Sequence, residues 1–244
     1  MSYTLVYDRK EVEKFESLFY SKTNDGYERV FLMYISARNK YYPELSNNGC
    51  FKRTVIRYND RLEDDRRLFN DIQHYEIPLH AYKDKNHLAV VPQEAVALYA
   101  SINPRNAVHA AQDLTKEILD RTFLHDKAYF SSIDQKFKNK LQKHSVKLYV
   151  GIDLDTKDEE VYQELIADIT RFINIYVVIE TNGGYHIIIP KRELQRTFNG
   201  ISAGQYIYKV LPGKYKALDK VSNDLFSPIP GTIQRGFKVR FRDV

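Results

Sequence analysis

VKLYVGIDLD, residues 146–155, is the stretch on which the reading of this chain turns. Val146, Leu148, Val150, Ile152 and Leu154 alternate with Lys147, Tyr149, Gly151, Asp153 and Asp155. A period of two sends successive side chains to opposite faces, so the stretch predicts a strand with one apolar face. Asp153 and Asp155 then leave the sheet on the same side. Two carboxylates that close repel, and one takes a proton unless a cation sits between them. Oxygen-only ligation in a chain with a single cysteine, Cys50, points to Mg2+ or Mn2+. An ordinary strand end with two solvated aspartates is the plain alternative.

Downstream, Thr156 is a candidate helix cap, with Asp158 and Glu159 suited to the positive end of the helix dipole. The helix expected over Lys157–Ile173 places Val161, Leu165, Ile169 and Phe172 along one stripe. Ile175–Glu180 is a β-branched run, Asn182-Gly183-Gly184 signals a turn, and Tyr185–Ile189 is a second strand stopped by Pro190. A helical stretch and extended segments near Lys214–Asp219 and Phe237–Arg242 follow. The order β-α-β-β-α-β is that of a ferredoxin-like, RRM-like unit. Its first and third strands lie together in mid-sheet, which would set Asp153 and Asp155 beside His186.

Upstream, the pattern mixes both element types. Strands are expected at Tyr3–Tyr7, Arg29–Ser36, Phe51–Tyr58 and Ala95–Ile102. Helices are expected at Lys10–Phe19, Leu62–His74 and Arg105–Phe123, the last capped by Asn103-Pro104. A Lys-rich helix over Ala128–Lys143 would bridge the halves. The fold class is therefore α/β of the α+β kind, with a mixed subdomain over 1–144 packed on an RRM-like subdomain over 145–244.

With 244 residues, 43% hydrophobic, the chain can bury a full core without staples. One cysteine excludes a disulfide framework and a multi-cysteine zinc site. No signal peptide and no apolar run of about 20 residues is evident, so a soluble, cytoplasmic protein with no membrane partner is expected. Net charge is +5. From Ser145 to Pro190 there are three Lys/Arg against eight Asp/Glu, and from Lys191 to Val244 eleven against four. An acidic stretch beside a basic one suits a site for cations and polyphosphate, although charges scattered over solvated faces would look the same.

His186 follows the turn Thr181-Asn182-Gly183-Gly184-Tyr185, whose glycines would allow positive φ and close approach of a ligand. A histidine beside two metal-bound aspartates can donate to a phosphate oxygen; alone it would more often be a packed strand residue. Farther on come Leu218-Asp219 and the turn Ser227-Pro228-Ile229-Pro230-Gly231-Thr232. The last strand alternates Phe237, Val239 and Phe241 with Lys238, Arg240 and Arg242, three cations about 7 Å apart that could track phosphates.

In these segments the sequence resembles the archaeo-eukaryotic primase superfamily, which includes the primase-polymerases. The matching features occur in family order: an apolar strand ending Asp153-Leu154-Asp155, Gly184-Tyr185-His186, Leu218-Asp219, and Pro230-Gly231-Thr232 leading to a basic strand. The resemblance covers Val146–Val244; before it only Tyr99–Arg105, ending Asn103-Pro104-Arg105, is similar to viral and plasmid relatives.

The resemblance implies a nucleotidyltransferase, a DNA primase or DNA-directed polymerase. Asp153, Asp155 and Asp219 would hold two divalent cations, Mg2+ or Mn2+, and His186 would contact the incoming nucleotide. Gly184, Arg38, Arg105, Lys147, Arg235 and Lys238 are candidates for nucleotide or phosphate contact. Partners would be a single-stranded DNA template, nucleoside triphosphates and a helicase or other replication subunit, in a prokaryotic, viral or mobile-element setting. Three departures stand out: Ser227 occupies a position where many relatives carry Arg, Asn182 replaces the commoner Ser-Gly start of the His motif, and no zinc-binding module is evident; Asp224, five residues on, competes with Asp219 as third carboxylate. An RRM-like binding module, a D-x-D glycosyltransferase and an inactive scaffold subunit stay open as rival readings.

Overall fold

A computed structural model describes residues 2–20, 29–37, 42–44, 49–57, 67–79, 81–83, 90–198 and 200–243. In the first sheet, β1 (Arg29–Ala37) lies between β2 (Gly49–Arg57) and β3 (Val96–Ser101), both antiparallel to it. A two-residue β4 (Arg105–Asn106) pairs with the start of β1. The run Val30-Phe31-Leu32-Met33 is apolar at every position because both faces are covered. Phe31, Met33 and Ile35 enter a central core with α1 (Arg9–Phe19). Val30 and Leu32 instead meet Ala107, Ala110 and Leu141. Those three come from α3 (Ala107–Phe123) and α5 (Ile133–Lys143), reached through α2 (Arg67–Gln73) and the short α4 (Lys127–Phe130).

In the second sheet, β5 (Tyr149–Leu154) pairs with β7 (Tyr185–Pro190), which pairs in turn with β6 (Val177–Glu180). A small hairpin, β8 (Thr197–Phe198) with β9 (Ile201–Ser202), and short helical turns lead to β10 (Leu218–Ser222) on the far side of β5. Ile152, Leu154, Val178, Tyr185, Ile187 and Ile189 pack under Tyr162, Leu165, Ile166 and Ile169 of α6 (Glu159–Thr170). Val177, Ile179 and Ile188 project from the opposite face into the central core.

The chain then returns to the first sheet. β11 (Phe226–Pro228) pairs with β3, so the first sheet draws strands from both sides of the subdomain boundary expected at 144/145, and the two sheets share one core. Pro230-Gly231 forms a turn closed by Thr232 N–H on the Ile229 carbonyl, with Gly231 at φ 86° as a type II turn requires. The Gly231 carbonyl accepts from the backbone N–H groups of Tyr7 and Asp8, locating the start of α1. Next comes the hairpin of β12 (Ile233–Gln234) and β13 (Phe237–Lys238), whose turn residues Arg235 and Gly236 both have positive φ, as a type I′ turn demands. β14 (Arg240–Arg242) then becomes the edge strand beside β6. All strand pairings among the described residues are antiparallel, so the architecture is mixed α+β. No helix among these residues is long and apolar enough to cross a membrane.

Several expected elements differ. Tyr3–Tyr7 forms only one isolated bridge, at Val6, because the Glu76 carboxylate takes the Leu5 and Val6 N–H groups that a ladder would have used. The cap of α3 is Asn106, which accepts from His109 N–H, and Arg105 is still in a strand. The helix expected over Ala128–Lys143 is broken into α4 and α5, and α5 packs in the layer over the first sheet. Asp158, not Thr156, caps α6. The stretch Phe237–Arg242 is not one strand: Val239 exchanges hydrogen bonds with Gly231 and Thr232, which diverts its two ends to different partners. Residues 58–66, which include the start of the expected helix Leu62–His74, lie outside the described residues.

Asn103 fixes one sheet against the other. Its Oδ1 accepts from the N–H groups of Leu148 and Tyr149 at 2.9 and 2.8 Å. Its Nδ2 donates to the carbonyls of Tyr149 and Asn223 at 2.9 and 2.8 Å. The residue is fully buried, so each of those groups would be orphaned without it. Asn103→Ala is expected to lower unfolding stability by roughly 3 kcal/mol, read from the urea midpoint with an unchanged m-value. A loss under about 0.5 kcal/mol would contradict this account.

Candidate functional site

Asp153 pairs in register with His186 on β7 and with Lys220 on β10. Alternation turns Ile152 and Leu154 toward α6, leaving Asp153 on the face that looks to the first sheet. Leu218 pairs with Leu154 and Lys220 with Asp153, so the ladder is irregular between them and Asp219 and Lys220 together oppose Asp153. Such a bulge places one extra side chain on the row. Asp155, one step past the strand, donates its N–H to the Ala217 carbonyl and is exposed, as Asp219 is. Asp153, Asp155 and Asp219 thus lie near the ends of two adjacent strands.

Among the described residues no group of three or more His, Cys, Asp or Glu is gathered closely enough to hold a metal ion. The donors available are carboxylate oxygens at a partly open rim, with the Asp153 side chain 30% exposed. That set fits Mg2+ or Mn2+, which keep waters and share ligands with substrate phosphates.

His186 is 7% exposed. Its Nε2 lies 3.3 Å from Asp153 Oδ1 and its Nδ1 3.0 Å from Ser227 Oγ. Ser227 comes from β11 in the first sheet and is fully buried. Nothing in the sequence pattern announced this contact, because it depends on β11 crossing to β3.

Gly184 serves another purpose than the expected ligand approach. Its φ is not in the left-handed region, and a Cβ there would stand 1.9 Å from the Leu154 carbonyl oxygen. The close approach it allows is that of the β6–β7 turn to the end of β5, which brings His186 level with Asp153. The turn is held by Thr181, whose N–H donates to the Gly184 carbonyl, and by Asn182 N–H on Gln234 Oε1.

The other expected phosphate contacts are dispersed. Arg105 is fully buried, bonded to the Gln142 carbonyl at 3.0 Å and 2.5 Å from Asp224, so it is a structural arginine. Asp224 is committed to that pair, which leaves Asp219 as the carboxylate beside Asp153. Lys147 is exposed about 20 Å along the strand from Asp153. Arg235 heads the β12–β13 turn and Lys238 lies over the Tyr7 ring. Arg38 lies outside the described residues.

The basic ladder is interrupted, and its two arginines are paired within the chain. Arg240 pairs with Glu180 at 2.7 Å and Arg242 with Glu159 at 2.7 Å. Lys157 bonds the other Glu180 oxygen at 2.9 Å while lying over the Phe237 ring. Burial acts to raise the Glu180 carboxyl, but the hydrogen bonds from Lys157 and Arg240 outweigh it and hold the group below the ordinary glutamate range.

Comparison with protein-family models, curated proteins and solved structures gives no match to this chain.

Two outcomes follow from this geometry. Gly184→Ala should lower stability by roughly 2 kcal/mol or more, since its Cβ meets rigid backbone, and should shift the His186 amide resonance. A variant as stable as wild type would show that the turn does not abut β5. Because the Glu180 carboxyl is depressed on folding, its contribution is full above the ordinary glutamate range and fades as pH falls through the lower folded value. The stability gap between wild type and Glu180→Gln should therefore narrow on acidification from pH 7 to 3, and a gap independent of pH would contradict the pairing.

Proposed function

We propose that this chain is a metal-dependent nucleotidyltransferase of the archaeo-eukaryotic primase kind, joining nucleotides on a single-stranded DNA template. One observation carries the reading. Asp153 and His186 are in register on neighbouring strands, and Asp219 is doubled with Lys220 opposite the same aspartate. Those residues are far apart in sequence, and an ordinary strand end gives no reason for them to meet. The finer reading of the second sheet as a ferredoxin-like, RRM-like unit is supported by its order, β10-β5-β7-β6, with β14 added at the edge.

In this reading Asp153, Asp155 and Asp219 hold two divalent cations. Bound there, such ions stabilise charge on the attacking and leaving oxygens of phosphoryl transfer. His186, whose Nε2 faces Asp153, would in this reading donate to a phosphate oxygen of the incoming nucleotide. Lys220, in register with Asp153, adds a cation to a row otherwise too acidic for a triphosphate. The reaction is attack of a 3′-hydroxyl on the α-phosphate with departure of pyrophosphate.

An RRM-like binding platform would need an exposed aromatic on a central strand. Tyr149 is the candidate there, and it is half-buried and engaged with other rings. Its ring stacks on Tyr176 at 5.2 Å and meets the edge of Phe19 at 5.3 Å. Burial and then the neighbouring Tyr176 push its hydroxyl up to about 12.

The test mixes the chain with single-stranded DNA, labelled ribo- or deoxyribonucleoside triphosphates, and Mg2+ or Mn2+. Incorporation is expected for wild type, with a fall of at least 10³-fold in Asp153→Ala/Asp155→Ala at unchanged circular dichroism. Undiminished incorporation by the double variant would remove the mechanism, and none by wild type would remove the function.

A further inference from the structure

His186 sits between an oxygen on each side, and the two oxygens come from different sheets. Asp153 belongs to β5 of the second sheet and Ser227 to β11 of the first. The ring is almost wholly buried, so both nitrogens need partners. The Ser227 hydroxyl has one proton and two acceptors in reach, His186 Nδ1 at 3.0 Å and its neighbour's carbonyl, Pro228 O, at 3.2 Å. If the proton went to Pro228, a neutral imidazole would have to carry its own proton on Nδ1. Nε2 would then present a bare lone pair to the Asp153 carboxylate at 3.3 Å, acceptor against acceptor. Donation from Ser227 to Nδ1 removes that conflict.

We propose that Ser227 is a positioning residue for this site: its hydroxyl donates to His186 Nδ1 and holds the neutral ring protonated at Nε2, facing Asp153. Asp153 supports the same tautomer only while its carboxylate remains an acceptor for the ring. When that carboxylate is engaged elsewhere, Ser227 alone keeps an N–H pointing into the site. Ser227 thus does by indirect means part of what an arginine at this position would do directly, since it aims a donor at the place a phosphate oxygen would take. That consequence rests on the nucleotidyltransferase reading, whereas the tautomer itself does not.

The experiment is long-range 1H–15N spectroscopy of the full chain labelled at histidine nitrogen, at pH 8, with His186 assigned through His186→Asn. In wild type and in Asp153→Ala, His186 should carry its proton on Nε2. In Asp153→Ala/Ser227→Ala, that preference should collapse into a mixture of both tautomers. A wild-type ring protonated on Nδ1, or on both nitrogens, overturns the proposal, as does an Nε2 tautomer surviving the double change. Should the double variant fail to fold, the wild-type and Asp153→Ala spectra still decide. In the incorporation assay, Ser227→Ala should raise the nucleotide KM about tenfold with kcat changed less than about threefold. Wild-type kinetics in Ser227→Ala would sink the positioning role, whereas an inactive wild type would sink the nucleotidyltransferase reading and leave the spectra as the judge of the tautomer.

Discussion

Both main sheets are covered on both faces, and that constraint governs where polar chemistry can exist in this molecule. The first sheet lies between the α3–α5 layer and the central core, and the second between that core and α6. A polar group placed inside such layers loses water on every side and must be answered by another polar group. Asn103, Arg105, Glu180 and His186 are all nearly or fully buried, and each bonds to groups from another segment of the chain. Asp168 of α6 follows the same rule. Burial acts to raise its carboxyl, and bonds from Lys214, Tyr215 and Tyr206 more than reverse it. The candidate site is the place where the rule relaxes, at a rim where Asp153 is part exposed while its partner His186 is not.

The second sheet was largely legible because its signals are local. Strict alternation in 146–155, a β-branched run and a Gly-rich turn each act within a few residues. Once the order of elements is known, the pairing of Asp153 with His186 follows from topology. The Pro-Gly turn was equally readable, since only a residue free to adopt φ 86° fits there. What escaped the sequence was every contact made between distant segments. Ser227 looked like a missing arginine until β11 crossed to β3 and set its hydroxyl against the imidazole. Gly184 looked like room for a ligand until the end of β5 filled that room.

The basic strand failed for a related reason. Alternating Lys238, Arg240 and Arg242 reads as a cationic row only if the strand is continuous and faces solvent. Val239 instead bonds to the Pro-Gly turn, which breaks the row, and the two arginines find Glu180 at the end of β6 and Glu159 at the start of α6. The acidic and basic halves of the sequence are complementary to each other before they are complementary to any ligand. Net charge along a chain therefore describes its internal pairing as much as its external partners.

The return of β11 to the first sheet has a consequence for how the chain reaches its native state. β3 gains its outer neighbour only when residues 226–228 arrive, and the Tyr7 and Asp8 amides bond only after Gly231 is made. During synthesis the earlier strands must wait, with an unpaired edge of Val96–Ser101 open to any other extended segment. Contacts spanning more than two hundred residues carry a loop entropy that must be overcome before those bonds form. The last strands work as a clasp that completes the sheet begun by the first.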